Sequence, residues 1–317
     1  MAGLTLQADQ LLHCASFSPH SRTCHLLAIG GTSKLVVKSC ILVESELQQS
    51  SLLDALEFAD VAQVDTGFTT QAISWSAATT HEQDSYRLVL CVLSGDRKIW
   101  TLSIDPHNTE QKVLEGCVGT VNSLACHPTT EGLMASTGDD QTCQVWDLGT
   151  GQVGTTFRLT SSGVAVCWSP FEATQLMVAE KNGRIRFYDL CTNTPVMSLA
   201  TSVPPLIDAH WSPSNSLMVG CVASGRWYLW DTSKSSLPSE SKFAHTNPVT
   251  KFRWCPHTEQ AFATLSCSGE VKVHDTRHHR TPLTYNTKVS YDVCWHPKLP
   301  LLIIPGDHCV HVWQVTI

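Results

Sequence analysis

The sequence LACHPTTEGLMASTGDDQTCQVWD, residues Leu124–Asp147, combines turn signals with short apolar segments. His127-Pro128 predicts a turn, because proline bends the chain without needing a ladder N–H. Leu133–Ala135 then predicts an apolar strand, and Gly138–Asp140 predicts a tight acidic turn. An alternating segment follows and ends in Trp146-Asp147. The stretch therefore predicts three antiparallel strands joined by short turns and closed by a Trp-Asp pair.

The first of these turns recurs seven times along the chain. Each copy ends an apolar strand and continues through Ser, Cys or His into Pro, which one copy replaces by Ala. The third positions of the copies are Pro19, Ala77, Pro128, Pro170, Pro213, Pro256 and Pro297. The last five positions lie 41–43 residues apart, within the period of about 40–45 residues that is typical of WD repeats. The sequence therefore predicts an all-β fold, a seven-bladed WD40-type β-propeller, as a single domain over residues 1–317.

Two further positions recur after each of these turns. A closing pair keeps an aromatic residue or His before Asp in blades three to six, and a tight turn lies six residues before it. Most of these turns have Asp, Asn or Ser, whose side chains hydrogen-bond nearby backbone. The structural blade positions predicted in this way are Asp96, Asp140, Trp146, Asp147, Asn182, Tyr188, Asp189, Trp230, Asp231, His274, Asp275, Asp307 and Trp313.

A complete WD blade also has a His before its first strand, which bonds the turn Asp and ties the ends of the blade together. The equivalent positions in this chain are Ala8, Thr66, Cys117, Leu159, Ser202, His245 and Asn286. Only blade six therefore offers a His, and that blade has Ser268 where the Asp should be. Since no blade has a complete His–Asp pair, we expect apolar packing between blades to dominate over weak polar networks within them.

The ends of the chain indicate how the ring closes. Only four residues follow Trp313, too few for an outer strand, whereas a spare apolar segment surrounds Leu4–Leu6. We expect this N-terminal segment to form the outer strand of blade seven, which would remove the exposed edges of an open array. Three segments interrupt the period and are predicted to be binding loops or simply solvated loops. They are Glu44–Leu56 in blade one, a short helix or a projecting loop, Ala78–Arg87 in blade two, and Ser233–Ser241 near the outer edge of blade five.

Composition limits the classes of function. A hydrophobic content of 42% and a charged content of 15% fit a folded globular protein. The net charge of −7 and the pI near 6.1 argue against direct binding of nucleic acid through the overall field. No basic, apolar signal peptide and no run of transmembrane length is found, so membrane insertion is not expected. The 14 cysteines are scattered without a Cys-x-x-Cys pair, and we expect reduced core residues in a cytosolic or nuclear protein.

The sequence contains no strong candidate for an active site. There is no Gly-rich phosphate loop and no Gly-x-Ser-x-Gly, so catalytic residues and cofactors are not predicted. His308, Cys309 and His311 have the chemistry of zinc ligands, but a fourth ligand is not evident.

Three other features have two interpretations each. The basic run Arg277–Arg280 either contacts an acidic partner or is a solvated loop. In Lys181–Arg184 the Asn-Gly pair predicts a tight hairpin, which leaves the two flanking charges without an assigned use. Trp227 is either an exposed aromatic anchor or, as we prefer, a core residue.

Seven stretches resemble one family of WD proteins. They are KVLEG (Lys112–Gly116), DDQTCQVWDL (Asp139–Leu148), SSGVAVCWSP (Ser161–Pro170), LMVAEKNGRIRFYDL (Leu176–Leu190), VPPLIDAHWS (Val203–Ser212), WYLWDTSKSSLP (Trp227–Pro238) and LPLLIIPGDHCVHVW (Leu299–Trp313). In them the chain resembles the small WD-repeat nucleoporins of the Y-shaped outer-ring complex of the nuclear pore. The N-terminal hundred residues and Gln260–Asn286 resemble that family more loosely.

The resemblance implies a non-enzymatic structural subunit of the nuclear pore complex. Its implied partners are other nucleoporins of the Y complex, chiefly the largest propeller-plus-solenoid subunit of the long arm, and also the chromatin-binding nucleoporin. The implied locations are the nuclear envelope and, in mitosis, the kinetochore, with roles in pore assembly, transport of mRNA and protein, and chromosome segregation. The alternative is a generic WD adaptor, such as a ubiquitin-ligase substrate receptor or a histone-peptide reader. A peptide reader is expected to have acidic or aromatic residues around the narrow end of its channel.

Overall fold

The computed structural model describes residues 3–43, 52–82, 85–116, 119–201 and 203–316. These residues form 29 strands in seven antiparallel sheets, and none of them lies in a helix. They therefore include no helix long and apolar enough to cross a membrane. The predicted seven-bladed propeller is confirmed.

Each blade is one antiparallel sheet, which begins at the inner strand and continues outward. Blade one contains β2 (Leu12–Phe17), β3 (Leu26–Gly31), β4 (Lys34–Leu42) and β5 (Leu56–Asp65). Blade two contains β6 (Thr70–Trp75), β8 (Tyr86–Ser94), β9 (Ile99–Asp105) and β10 (Asn108–Val113), with β7 (Thr80–His81) paired to β8. Blade three contains β11 (Val121–Cys126), β12 (Leu133–Gly138), β13 (Thr142–Asp147) and β14 (Gln152–Arg158). Blade four contains β15 (Gly163–Trp168), β16 (Gln175–Glu180), β17 (Arg184–Asp189) and β18 (Thr194–Ala200).

The remaining three blades follow the same plan. Blade five contains β19 (Leu206–Trp211), β20 (Met218–Ala223), β21 (Arg226–Asp231) and β22 (Glu240–Phe243). Blade six contains β23 (Val249–Trp254), β24 (Ala261–Ser266), β25 (Glu270–Asp275) and β26 (Arg280–Asn286). Blade seven contains β27 (Cys294–Trp295), β28 (Leu301–Gly306), β29 (Cys309–Gln314) and β1 (Gly3–Gln7).

Because the strands of a blade alternate in direction, its connections fall on two opposite faces. One face holds the Pro turns between the first and second strands and the loops between the third and fourth strands, and we name it the Pro-turn face. The other holds the tight turns between the second and third strands, such as Gly138–Asp140, and the connections between blades. We name it the Asp-turn face.

The N-terminal strand closes the ring as predicted. Strand β1 pairs antiparallel with β29, from Gly3 opposite Trp313 to Gln7 opposite Cys309. Beyond the paired strands, the amide of Ala8 donates to the carbonyl of His308 at 2.7 Å. Blade seven thus takes its outer strand from the other end of the chain, and its β29 edge is covered.

Apolar packing between blades forms the core. The buried side chains divide into seven clusters, and each cluster combines residues from two neighbouring blades. Between blades four and five, for example, the rings of Phe187 and Trp211 meet edge to face with their centroids 4.9 Å apart. Full burial of such a side chain contributes about 1.5–3 kcal/mol. The core therefore follows the expectation that interblade packing dominates.

The inner strands are also joined by indole hydrogen bonds, which the Pro-turn pattern did not predict. In four blades the Trp that ends the inner strand donates its Nε1–H to a backbone carbonyl on the inner strand of the preceding blade. The pairs are Trp75 to Ser16 at 3.0 Å, Trp168 to Ala125 at 2.8 Å, Trp254 to His210 at 3.0 Å and Trp295 to Arg253 at 3.2 Å. The residue that marks the turn in the sequence thus also connects neighbouring blades.

The three interrupting segments differ in structure. Of Glu44–Leu56, residues 44–51 lie outside the described residues, but Leu53 and Ala55 are buried and Leu56 begins β5. The described part of this segment therefore packs against the body of the protein and does not project. Ala78–Arg87, of which residues 83–84 are not described, adds the short β7–β8 pair to blade two. In Ser233–Ser241, the last two residues already belong to β22.

Candidate functional site

The closing aspartates shape the turns of the Pro-turn face. In blades three to six the Oδ1 atom of each accepts the backbone N–H two residues further on. The pairs are Asp147 with Gly149 at 2.8 Å, Asp189 with Cys191 at 3.0 Å, Asp231 with Ser233 at 3.1 Å and Asp275 with Arg277 at 3.0 Å. These carboxylates are therefore occupied by local backbone.

The basic run Arg277–Arg280 is arranged around Asp275. Oδ2 of Asp275 lies 2.7 Å from Nδ1 of His278 and 3.1 Å from Nε of Arg280. Although burial opposes ionisation, these hydrogen bonds lower the pKa of Asp275 to about 2. Nδ1 of His279 lies 3.1 Å from Nζ of Lys242, so three of the four basic side chains in the run have an internal partner.

The residues before the closing aspartates point into the core. Trp146, Tyr188, Trp230 and His274 are buried, and the indole of Trp146 donates to Ser136 Oγ at 2.8 Å. In blade seven the ring of Trp313 is only partly buried and lies 4.6 Å from that of Tyr285, centroid to centroid.

The turn residues of the Asp-turn face act locally. Asp140 accepts the amide and the hydroxyl of Thr142, at 3.0 and 2.8 Å. Asn182 accepts the amide of Arg184 at 3.2 Å, and Gly183 has a φ of +93°, which fits the predicted Asn-Gly hairpin. Asp96 accepts from Ser94 and forms an ion pair with Lys98, and Asp307 has a φ of +55°.

Blade six contains a buried polar network that corrects one expectation. Nδ1 of His245 lies 2.6 Å from Oε2 of Glu270, and its Nε2 lies 2.8 Å from Oγ1 of Thr264. The same hydroxyl lies 2.9 Å from Nε2 of His274. The polar network within blade six is therefore not weak, because Glu270 supplies the carboxylate that Ser268 lacks. The signal in the sequence is the carboxylate of Glu270, two residues after the turn position Ser268.

One assignment of protons gives every hydrogen bond of this network a donor and an acceptor. Burial lowers the pKa of His245 and lowers that of His274 to about 3, so both rings are neutral at pH 7. His245 then donates from Nδ1 to Glu270 and accepts at Nε2 from the Thr264 hydroxyl. His274 donates from Nε2 to the same hydroxyl oxygen. Each of the three contacts in the network thus joins one donor to one acceptor.

Blade four holds a second network that sequence reasoning missed. The side chain of Glu180 is fully buried, and its Oε1 lies 2.9 Å from Nε of Arg186. Its Oε2 accepts the amide and the hydroxyl of Thr160, at 2.8 and 2.6 Å. A Glu at the end of one strand and an Arg near the start of the next provide the signal in the sequence.

Two of the seven positions equivalent to the blade His, Cys117 and Ser202, lie outside the described residues.

The possible metal ligands do not form a site among the described residues. Cys309 Sγ lies 3.2 Å from His311 Nε2, whereas His308 lies in the exposed turn before β29. No group of three or more His, Cys, Asp or Glu side chains that could hold a metal ion occurs in the described part of the chain. The 13 described cysteines are unpaired, and most of them are buried.

Trp227 is a core residue, as preferred. It is 3% exposed, and its ring meets that of Phe262 edge to face with centroids 5.2 Å apart. It therefore fills the space between blades five and six.

A cavity of about 530 Å³ opens at the centre of the Asp-turn face. Its walls come from the inner strands of blades two to six, with further side chains from blade seven and from three Asp-turns. The charged side chains in its lining are Arg97, Asp139, Lys181, Asp208, Lys251, Arg253 and Asp292. The cavity thus collects residues from six blades.

Exposed apolar side chains are concentrated in blades four and five. On the Pro-turn face, Phe171 and Leu217 lie in the first loops of the two blades, and Leu237 lies in the loop before β22. Val196 lies near the start of the neighbouring edge strand β18. Their exposures are 52%, 44%, 68% and 55%, respectively. We name these four residues the apolar patch, and surfaces of this kind often mark contacts with other proteins.

Comparison with known proteins gives a repeat model and several relatives. The model for the WD domain, G-beta repeat, matches residues 108–147, which correspond to β10 and the first three strands of blade three. Nucleoporin Nup37 of mouse is 33% identical along the whole of this chain and 98% of its own length, and human Nup37 has the same values. Nup37 of Drosophila melanogaster is 28% identical over 77% of this chain and 76% of its own length.

Proposed function

The chain belongs to the nucleoporin Nup37 family, and from this membership we propose that it is a structural subunit of the nuclear pore complex. The observation that supports the proposal most is the extent of the similarity, which covers this whole chain and 98% of the mouse protein. A propeller whose closing carboxylates bind local backbone fits a scaffold better than an enzyme, so we also propose that the protein is non-enzymatic.

We further propose that the subunit acts in the Y-shaped outer-ring complex. Its main partner there is the largest propeller-plus-solenoid subunit of the long arm, and a second partner is the chromatin-binding nucleoporin. The protein accordingly locates to the nuclear envelope in interphase and to kinetochores in mitosis. Its roles are pore assembly, transport of mRNA and protein, and chromosome segregation.

The apolar patch is the surface that we propose for the nucleoporin partner. Its four side chains lie on two adjacent blades, and each is between 44% and 68% exposed. A stable interface buries on the order of 1,600 Å² in total and has an apolar centre. An extended face of two blades suits such a contact better than the central cavity does.

Affinity purification of the tagged chain from interphase cells, followed by mass spectrometry, tests the assignment to the Y complex. We expect the Y-complex nucleoporins in near-equal amounts. Recovery of cullin-type ligase subunits in their place would overturn the assignment and favour the adaptor alternative.

Charge substitutions in the apolar patch test where the partner binds. We expect Phe171→Asp with Leu237→Asp to reduce recovery of the nucleoporins at least about tenfold, because a charge at the apolar centre of an interface is costly to bury. Ile41→Asp is the matched control, since Ile41 is 49% exposed but lies in blade one. Full recovery by a folded patch variant would reject this surface and leave the family assignment intact.

A further inference from the structure

We propose that the mouth of the central cavity on the Asp-turn face binds an acidic peptide segment of a partner protein. This inference goes beyond a role in the nuclear pore and does not depend on it. It rests on the charges that line the cavity and on the apolar side chains between them.

Three cations in the lining have no internal partner. Among the described residues, Arg97, Lys181 and Lys251 have no carboxylate within 4.0 Å of their charged nitrogens. They come from the Asp-turns of blades two and four and from the inner strand of blade six. Since these elements are far apart in the sequence, only the closed ring brings the three charges to one opening.

The carboxylates in the lining already have partners. Asp208 accepts the amide of Phe252 at 3.0 Å and NH1 of Arg253 at 2.7 Å. Asp292 accepts the amide of Val293 at 2.9 Å and lies 3.9 Å from NH2 of Arg253. Arg253, the fourth cation of the lining, is therefore neutralised within the protein.

Asp139 is the third carboxylate of the lining, and it has no ion pair within 4.0 Å among the described residues. Its oxygens accept from Thr120 at 2.5 Å and from Asn122 at 2.9 Å. It also acts on Lys181 at longer range, so it offsets part of that charge. The lining as a whole has four cations and three carboxylates, a net charge of +1, on a chain whose net charge is −7. A cleft of this kind concentrates anions, because its low-dielectric walls focus the field.

Apolar side chains between the cations favour a peptide over a small phosphate compound. Ile73, Val164 and Ile207 line the same cavity, and Ile207 is 37% exposed. A segment that alternates carboxylates or phosphorylated residues with apolar residues satisfies both parts of the lining. The charge of the mouth disfavours basic peptides such as histone tails, for which acidic residues free to bind are needed.

The test is fluorescence anisotropy with the full chain and a labelled peptide of the repeat Glu-Glu-Leu. We expect saturable binding that weakens as salt is raised. In the double variant Lys181→Glu with Lys251→Glu, we expect affinity at least about tenfold lower. Arg184→Glu with Lys288→Glu makes the same change in net charge at exposed positions outside the lining, and we expect wild-type affinity.

Several results would overturn the proposal. These are no binding of the acidic peptide, equal affinities of the two double variants, or equal binding of a Lys-Lys-Leu peptide of the same length. Binding of inositol hexakisphosphate without binding of the peptide would assign the mouth to small polyphosphates, and tighter binding of an oligo-dT strand would assign it to nucleic acid. Melting temperatures of both double variants establish that they fold. The assignment to the nuclear pore is tested separately, by the identity of the partners that are recovered from cells.

Discussion

In blade six, His274 makes the hydrogen bond that the closing tryptophan makes in blade three. In blade three the indole N–H of Trp146 reaches the hydroxyl of Ser136 at 2.8 Å. In blade six the imidazole of His274 reaches the hydroxyl of Thr264 at 2.9 Å, while the ring of Phe262 stacks 5.0 Å from it. In these two blades the position thus holds an aromatic N–H donor to the second strand, and in blade six the neighbouring aromatic rings fill the space that the smaller imidazole leaves.

A pH dependence of stability follows from this burial. The pKa of His274 is about 3 in the folded protein but about 6.5 in an unfolded chain, so the unfolded state takes up the proton first as the pH falls. The contribution of the neutral, buried His274 to the free energy of unfolding is complete above about pH 6.5. It is lost as the pH falls toward 3, at up to about 1.4 kcal/mol per pH unit. Between pH 7 and pH 5 we expect the free energy of unfolding of His274→Trp to fall less than that of the unsubstituted chain. The difference in slope corresponds to about one proton fewer taken up on unfolding, and urea unfolding at each pH measures it. The control is His107→Gln in an exposed turn, and an unchanged slope in the tryptophan variant would contradict the argument.

At the level of the strands, the inner tryptophans connect neighbouring sheets. Strand pairing among the described residues stays within each sheet, so contacts between side chains and the neighbouring backbone must hold the blades in register. Apolar packing stabilises the contact between blades, but it is non-directional and does not fix their relative position. A bond such as that from Trp168 to the carbonyl of Ala125, at 2.8 Å, fixes how far one inner strand lies along the next.

Replacement of one of these indoles tests the connection. We expect Trp168→Phe to lower the free energy of unfolding by about 1–3 kcal/mol, because the partly buried carbonyl of Ala125 loses its donor. Trp100→Phe is the matched control, since the buried Nε1 of Trp100 has no hydrogen-bond partner among the described residues. If the two variants lose the same stability, packing accounts for the whole effect and the bond adds nothing.

The strands were easier to predict from the sequence than their side-chain partners. A Pro turn every 41–43 residues and a closing pair every 39–44 residues locate the strands of blades three to seven, because turn chemistry is local. The contact of Glu270 with His245 was not predicted, since it depends on where the connection before β23 lies relative to the start of β25, 25 residues further along the chain. The cavity charges were missed for the same reason, as Arg97 and Lys251 meet only through the closed ring.

For the whole molecule, the pairing of β1 with β29 determines whether the array is a ring. Leu4 and Leu6 of β1 pack on the apolar cluster between blades seven and one. The strand thus contributes both a row of backbone hydrogen bonds and part of an interblade core.

Removal of this strand should destabilise the entire propeller. We expect deletion of residues 1–8 to lower the melting temperature by more than about 5 °C, because it removes the backbone pairing with β29 and two apolar side chains of an interblade core. A loss of 1 kcal/mol corresponds to about 2–4 °C in domains of 150–250 residues. Leu4→Asp with Leu6→Asp should act in the same direction, whereas Thr5→Asp with Gln7→Asp, on the exposed side of β1, should change little. An unchanged melting temperature of the deletion would mean that blade seven closes without β1.

The same pairing sets an order of events during synthesis. Strand β1 leaves the ribosome before the other described strands, and its partner β29 leaves after them. At about 5–20 residues per second, β1 waits on the order of half a minute with both edges unpaired. Over that interval the apolar residues of β1 are available to chaperones and to other nascent chains. Contacts between neighbouring nascent chains on a polysome are therefore a route by which this fold misassembles.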